Sequence, residues 1–345
     1  MKIIHTSDLM IDNDYNYSMQ LNKVKGLRSE NLNSFKNIIE YAKSNAVKVI
    51  IIAGNVFTTE FVPYSCLNAF IDLIKNNSNI DFIIPYGNKD EAYLFNNLEE
   101  KPNNLYTFSK DFSKKEYTYL DIYGFNYNDL NEKIKPLNIN ENKINILTFS
   151  KELTENNLES FKEYNIDYLA LGGKKQHQEG KVIDINYTYS GIPYQNDFET
   201  KGKTGFYLID TLKDSFTYEF IKFDGIKFNN LGLDITGITN YGLIESKLVN
   251  GTSKYPKNSL MRITLRGKTP IGFVVNTLEL EKKLNEKFYF AKVIDDTVFD
   301  SNVSEYEKDV SLKSEFIKEV MKNQEFDDYL KKEIIKLGLS SLSKE

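Results

Sequence analysis

Tryptophan is absent from this chain of 345 residues, cysteine occurs once and histidine twice, and each shortage closes off a class of chemistry. The lone Cys66 excludes an intrachain disulfide framework and a thiolate zinc site, which fits a reducing compartment. His5 and His177 are too few imidazoles for any centre that needs several of them. Positive charge is not in excess. The 44 basic and 49 acidic side chains leave a net charge of -5, so no global field draws the protein onto nucleic acid or an anionic membrane, and such a contact has to be local. Long apolar runs of about 18 residues are missing, and residues 1–4 lead straight into His5, Ser7 and Asp8 without a signal-peptide core. The expectation is a soluble, cytoplasmic protein with no membrane association. Apolar mass is plentiful by contrast: hydrophobic residues make up 41% and aromatics, all Tyr and Phe, 13%. That suffices for a domain of about 200 residues with a proper core and a smaller one beside it.

Short β-branched runs at residues 2–6, 47–53, 81–85, 117–124, 144–149 and 168–171 alternate with helical patterns, the signature of a layered α/β domain. Leu32, Phe35, Ile39 and Ala42 share one face, predicting an amphipathic helix over residues 29–44. A second helix over 63–75 is apolar nearly all round, which suits deep burial or a subunit contact. Strand-like runs at 182–189, 205–210 and 216–223 close a domain spanning residues 1–225. Residues 226–300 read as a small α/β domain, and 301–345 as an acidic linker followed by a helical hairpin. In that hairpin Leu312, Phe316 and Val320, then Phe326, Leu330, Ile334 and Leu337, recur every three to four residues and form an apolar face.

In open α/β sheets chemistry sits beyond the C-terminal ends of the strands. The segments there are His5-Thr6-Ser7-Asp8-Leu9-Met10, Ala53-Gly54-Asn55-Val56-Phe57, Tyr86-Gly87-Asn88-Lys89-Asp90, Ile146-Leu147-Thr148-Phe149 and Gly172-Gly173-Lys174-Lys175. In order and spacing they resemble the SbcD and YhaO-like branch of the calcineurin-like metallophosphoesterases, with signature D-x-H, G-D, G-N-H-[DE], H and G-H-x-H. The resemblance covers roughly residues 1–225, including Tyr189-Ser190-Gly191-Ile192-Pro193 and Gly205-Phe206. It implies a β-sandwich flanked by helices, with a small capping domain and a C-terminal helical segment. It also implies a reaction in which two manganese ions about 4 Å apart clamp a phosphodiester and activate water.

The same resemblance shows what is missing. Asp8 is kept, but Met10 stands for a ligand histidine, Asn55 for the bridging aspartate and Lys89 for the catalytic histidine. Asn88 and Asp90 remain. Thr148 or Phe149 replaces the fourth-loop histidine, and Gly173 and Lys175 replace the last pair. A thioether suits manganese poorly, and an ammonium has no lone pair to offer. The expectation is therefore no cofactor, no two-metal site and no nuclease activity, with Lys89 and Lys175 held by ion pairs to Asp8 where the cations would sit. His177 reads as a surface residue and His5 as a buried one.

What the resemblance implies for partners survives such a loss: a homodimer through the 63–75 helix, and an SbcC-type coiled-coil ATPase gripped by the C-terminal hairpin, with DNA met through that complex. Two alternatives stand beside it. One is a nuclease with an altered site around Asp8, Asn88 and Asp90; the other is a module in which Lys89, Lys174 and Lys175 hold phosphate or DNA without cleaving it.

Overall fold

The computed structural model describes residues 1–15, 17–59, 61–85, 94–95, 98–108, 113–124, 139–223, 225–270, 273–299 and 310–342. They form two compact units, Met1–Ile226 and Lys227–Glu345.

In the first unit β1 (Lys2–Thr6), β2 (Val47–Ile52), β3 (Asp81–Ile84) and β4 (Leu105–Thr107) run parallel. Antiparallel β11 (Gly205–Thr211) and β12 (Phe216–Lys222) extend this sheet beyond β1. The second sheet runs in the order β5 (Ser113–Glu116), β6 (Leu120–Gly124), β7 (Ile144–Ser150), β8 (Tyr168–Gly172), β10 (Ile185–Tyr189) and β9 (Gln178–Val182). The central strands are apolar on both faces, as parallel strands covered on two sides must be. Ile3, Val49, Ile51 and Ile83 meet Ile122, Ile146, Tyr168 and Ala170 between the sheets. The opposite face of the first sheet takes Phe35, Ile38 and Ile39 of α1 (Leu21–Ser44) and Phe70 and Ile74 of α2 (Tyr64–Lys75). On the second sheet Leu147, Phe149, Leu169 and Leu171 pack against Leu158 and Phe161 of a short helical segment, α3 (Glu155–Glu159) with the 3-10 turn Ser160–Glu163. The result is the layered α/β domain that the sequence pattern predicts, in the form of the helix-flanked sandwich that the resemblance implies.

Two predicted strands are hairpins instead. Residues 117–119 turn between β5 and β6, and the 182–189 run folds back at Ile183 and Asp184 into β9 and β10. Ile183 sits there at φ 55 and 58% exposed. A β-branched residue is strained in the left-handed region, where glycine is not. Ile183→Gly is expected to stabilise the unit by about 1 kcal/mol, read as a higher urea midpoint; a lower midpoint would contradict the strain argument.

The α2 helix is more one-sided than its sequence predicts, burying Leu67, Phe70, Ile71 and Ile74 while Tyr64 is exposed. In the second unit β13 (Phe228–Asp234), β14 (Leu260–Thr269) and β15 (Phe290–Phe299) form a parallel sheet. The helices α4 (Tyr241–Thr252) and α5 (Thr277–Lys287) share its apolar core. The helices α6 (Leu312–Lys322) and α7 (Asp328–Leu342) pack as a hairpin around Ile317, Val320 and Ile335 against Phe299. One buried ion pair fixes them to β15. The Lys332 ammonium lies 2.8 Å from Asp295 Oδ1 and donates to Thr297 O at 2.6 Å and Thr297 Oγ1 at 2.7 Å. Among the described residues no helix is long and apolar enough to cross a membrane.

Candidate functional site

The ends of β1 and β2 continue side by side after the strands stop. Asp8 N–H donates to Gly54 O at 3.0 Å, Met10 N–H to Asn55 O at 3.2 Å and Ile11 N–H to Val56 O at 3.0 Å. Holding the two loops in this register demands left-handed backbone at Asp8 (φ 53), Met10 (φ 46), Gly54 (φ 81) and Asn55 (φ 55). Asp and Asn tolerate that region better than most residues, and Met10 does not. Strain concentrated in one place is a mark of a functional site, maintained because the surroundings over-determine it. Asp12 supplies part of that determination: Thr58 N–H and hydroxyl donate to one oxygen at 2.6 and 3.0 Å, and those of Thr59 to the other at 3.3 and 2.8 Å.

Asp8 is the centre of the arrangement and is 2% exposed. Its Oδ1 accepts from Asn55 Nδ2 at 2.7 Å; its Oδ2 accepts from Ser7 Oγ at 2.7 Å and from Gly173 N–H at 3.1 Å. Ser190 Oγ donates in turn to Ser7 Oγ at 2.8 Å. One carboxylate thus joins the ends of β1, β2, β8 and β10, two strands from each sheet. Burial pushes its carboxyl above the ordinary range, and the bonds from Ser7, Asn55 and Gly173, with the more distant Lys175 charge, pull it part of the way back.

The two sheets are also in close contact at the same place. A Cβ built on Gly172 would lie 1.7 Å from Ala53 O, so only glycine fits there. Gly173 follows at φ 85 and turns its N–H toward Asp8.

Other sequence-predicted positions lie differently from expectation. Lys175 pairs through Nζ with Asp197 and not with Asp8. The reason is local: Asp197 closes an Asx turn, accepting from Thr200 N–H and Oγ1 at 2.6 Å each, which presents its other oxygen to the ammonium. Despite the opposing effect of burial, the bonds from Lys175 and Thr200 hold the Asp197 carboxyl below its usual range. Lys174 lies 3.2 Å from Glu152 and donates to Gln178 at 2.6 Å. Two of the three lysines named for phosphate, Lys174 and Lys175, thus each have an acid beside them.

Thr148 and Phe149 lie inside β7, buried, with Phe149 stacked on Phe161 at 5.7 Å. The residue that β7 delivers to the cleft is Lys151, because the strand runs to Ser150. Met10 accepts a hydrogen bond from Asn196 Nδ2 at 3.0 Å. Asn88, Lys89 and Asp90, and with them the expected Lys89 ion pair, lie outside the described residues.

His177 stacks on Phe220 with centroids 4.3 Å apart. His5 is fully buried: Nε2–H donates to Leu171 O at 3.2 Å, which leaves Nδ1 to accept from Thr188 Oγ1 at 3.0 Å. Tyr168 OH meets the same Thr188 hydroxyl. Burial pushes the imidazole down to about 3, against the weaker effect of the Leu171 bond.

Above these residues lies a cleft of about 600 Å³ with Met10, Asn55, Thr58, Lys151, Glu152 and Lys175 in its wall. A carboxamide turned nitrogen-first to the carboxylate, a thioether and paired ammoniums do not fit two dications, which need shared carboxylate and imidazole ligands. Among the described residues no three His, Cys, Asp or Glu groups converge where they would hold a metal ion. Sequence reasoning passed over Ser7, Asp12, Asn196 and Asp197. The run Asp197-Phe198-Glu199-Thr200 carries a readable Asx-turn signal, whereas nothing local marks Asp12 as the partner of Thr58 and Thr59.

No curated protein matches the chain. Among solved structures, an archaeal phosphodiesterase is 17% identical, covering 64% of this chain and 100% of its own at a TM-score of 0.37. Vacuolar protein sorting 29 from Cryptosporidium parvum is 13% identical over 64% and 97% of the two chains, with a TM-score of 0.32. Vps29 from Entamoeba histolytica, complexed with zinc, is 10% identical over 64% and 99%, with a TM-score of 0.31. Residues 1–228 match the calcineurin-like phosphoesterase family, the span that holds both sheets and every strand end gathered at Asp8. The chain thus belongs to the calcineurin-like phosphoesterases.

Proposed function

We propose that this chain is a phosphoesterase-fold subunit without hydrolytic activity, an SbcD-like scaffold for an SbcC-type coiled-coil ATPase. The observation that carries the reading is the 2.7 Å bond from the Asn55 carboxamide to Asp8. Where the family resemblance expects a carboxylate shared by two cations, this chain has a hydrogen-bond donor aimed at the remaining carboxylate. The remaining carboxylate is satisfied by donors from within, which supports a site that does not gather the cations needed to activate water. The decisive assay is manganese-dependent cleavage of an aryl phosphodiester and of single- and double-stranded DNA ends. The wild-type rate is expected to equal that of Asp8→Ala, and a manganese-dependent rate lost in that variant would overturn the reading.

The helical hairpin supports the scaffold half of the proposal. Val320 is buried, and Phe316 and Ile334 pack around the hairpin's own core. Leu312, Leu330 and Leu337 are exposed by 71%, 43% and 65%. Six of the seven positions of the apolar repeat therefore divide between holding the hairpin together and facing outward. A groove in a helical partner would take the outward row. Leu330→Glu with Leu337→Glu is expected to weaken binding to the coiled-coil base of the ATPase by about 10-fold or more with the hairpin still helical by circular dichroism. Undiminished binding would remove the hairpin from the interface. The α2 helix, with Tyr64 exposed by 73%, is the surface proposed for a homodimer.

A further inference from the structure

We infer that Asn55 has taken over the mechanical work of a metal pair: it is the positioning residue that makes this phosphoesterase fold independent of divalent cations. The inference rests on the metal-free reading of the site but concerns stability, so its failure is distinguishable from the discovery of activity.

The argument starts from charge. Asp8 is a buried carboxylate, and a buried anion needs compensation by donors or by a cation. Among the described residues its compensation at hydrogen-bond range is wholly neutral: Ser7 Oγ, Asn55 Nδ2 and Gly173 N–H. Of these, Ser7 adjoins Asp8 and Gly173 contributes only its backbone. Among the described residues Asn55 is the one side chain from another loop, and its amide is the donor a carboxylate at that position could not be. With Asp at 55, two acceptor oxygens would face each other across 2.7 Å, a separation that requires a cation or a proton between them.

The second strand of the argument is conformational. The bond joins two residues that both lie in the left-handed region, Asp8 at φ 53 and Asn55 at φ 55, on loops 47 residues apart in the chain. Such loops keep an unfavourable backbone only when something holds them. Lys175, one of the two lysines expected to substitute for the cations, is engaged by Asp197, and the bond to Asp8 from the facing loop comes from the carboxamide. Through Ser7 and Ser190 the same network reaches the end of β10, so losing the Asn55 bond loosens contacts in both sheets.

The test is a set of thermal melts on the full chain in chelator, in millimolar manganese chloride and in sodium chloride of equal ionic strength. Wild-type melting is expected to be the same in all three. Asn55→Asp is expected to melt roughly 10 °C lower in chelator and in sodium chloride, and to recover at least half of that loss in manganese. Asn55→Ala, which removes the donor without adding a charge, should lose roughly 5 °C in all three solutions and recover nothing in manganese. Should Asn55→Asp fail to fold in any solution, the alanine variant decides alone. The inference fails if Asn55→Asp in chelator, or Asn55→Ala, melts with the wild type. It fails equally if manganese raises wild-type melting by several degrees.

Discussion

Gly172→Ala is expected to abolish folding of the first unit. A methyl at this position would lie 1.7 Å from Ala53 O and 2.8 Å from Ala53 C, both backbone atoms. A flexible side chain can swing away from such an overlap, but these atoms belong to the end of β8 and the segment after β2, each locked in a ladder. Gly172 pairs with Ser150, and Ala53 N–H donates to Thr6 O at 2.8 Å. Relief requires the sheets to separate by more than 1 Å at the layer packed with Ile51, Ile146 and Ala170, forfeiting contacts along the whole interface. The expected cost exceeds about 4 kcal/mol, seen as insoluble protein or loss of the cooperative melt. Gly232→Ala is the control, since its nearest atom is 3.9 Å away, and it should melt within a few degrees of wild type. A Gly172→Ala protein melting beside that control would mean that the sheets do not meet as described.

Acid should weaken the fold through His5. Its folded value of about 3 lies far below the 6.5 of an unperturbed imidazole. The folded state therefore binds fewer protons than the unfolded chain between these limits. For a depressed group, stability is complete above the unfolded value and lost as pH falls toward the folded one. Two units below the unfolded value, at pH ~4.5, the loss reaches about 3 kcal/mol. The reason is burial, which denies an imidazolium its water; a second ring proton would also face the Thr188 hydroxyl, which donates to Nδ1 and is contacted by Tyr168. Asp8 acts in the opposite sense, because a carboxyl raised by burial favours folding as the medium acidifies. Urea titrations of the wild type and His5→Gln between pH 7 and 4.5 isolate the imidazole. The gap between their stabilities should close or invert as pH falls. Parallel curves would mean that His5 takes up its proton without resistance.

Much of this architecture was legible because its signals are periodic. The short β-branched runs of β1, β2, β3, β7 and β8, alternating with helical patterns, read as strands of a layered α/β domain. The motif order Asp8, Asn55, Gly172-Gly173 placed their ends together before any coordinates. Hairpins were harder: Ile183 is a poor turn former, so the break between β9 and β10 had no glycine or asparagine to announce it. At the site, the substitutions could be read but not the pairings they adopt. Lysine near an aspartate suggests an ion pair, yet Lys175 had a better-presented acid in Asp197, 22 residues along the chain. The fourth loop shows the cost of a short motif without a fixed register. Thr148 and Phe149 fitted by alignment, while the length of β7 decided that Lys151 enters the cleft.

The Lys332 clasp has a consequence for the hairpin as a mechanical part. Apolar surfaces slide over one another at little cost, and a hairpin held by Ile317, Val320 and Ile335 alone could creep along β15 or roll about its axis. An ammonium seated between Asp295 and Thr297 forbids creep, since a shift of one turn, about 5.4 Å, would strand both charges away from water and from each other. Seating is therefore all or none. The rotational setting of α7, and with it the direction in which Leu330 and Leu337 project, is keyed by a single peg rather than averaged over a greasy contact.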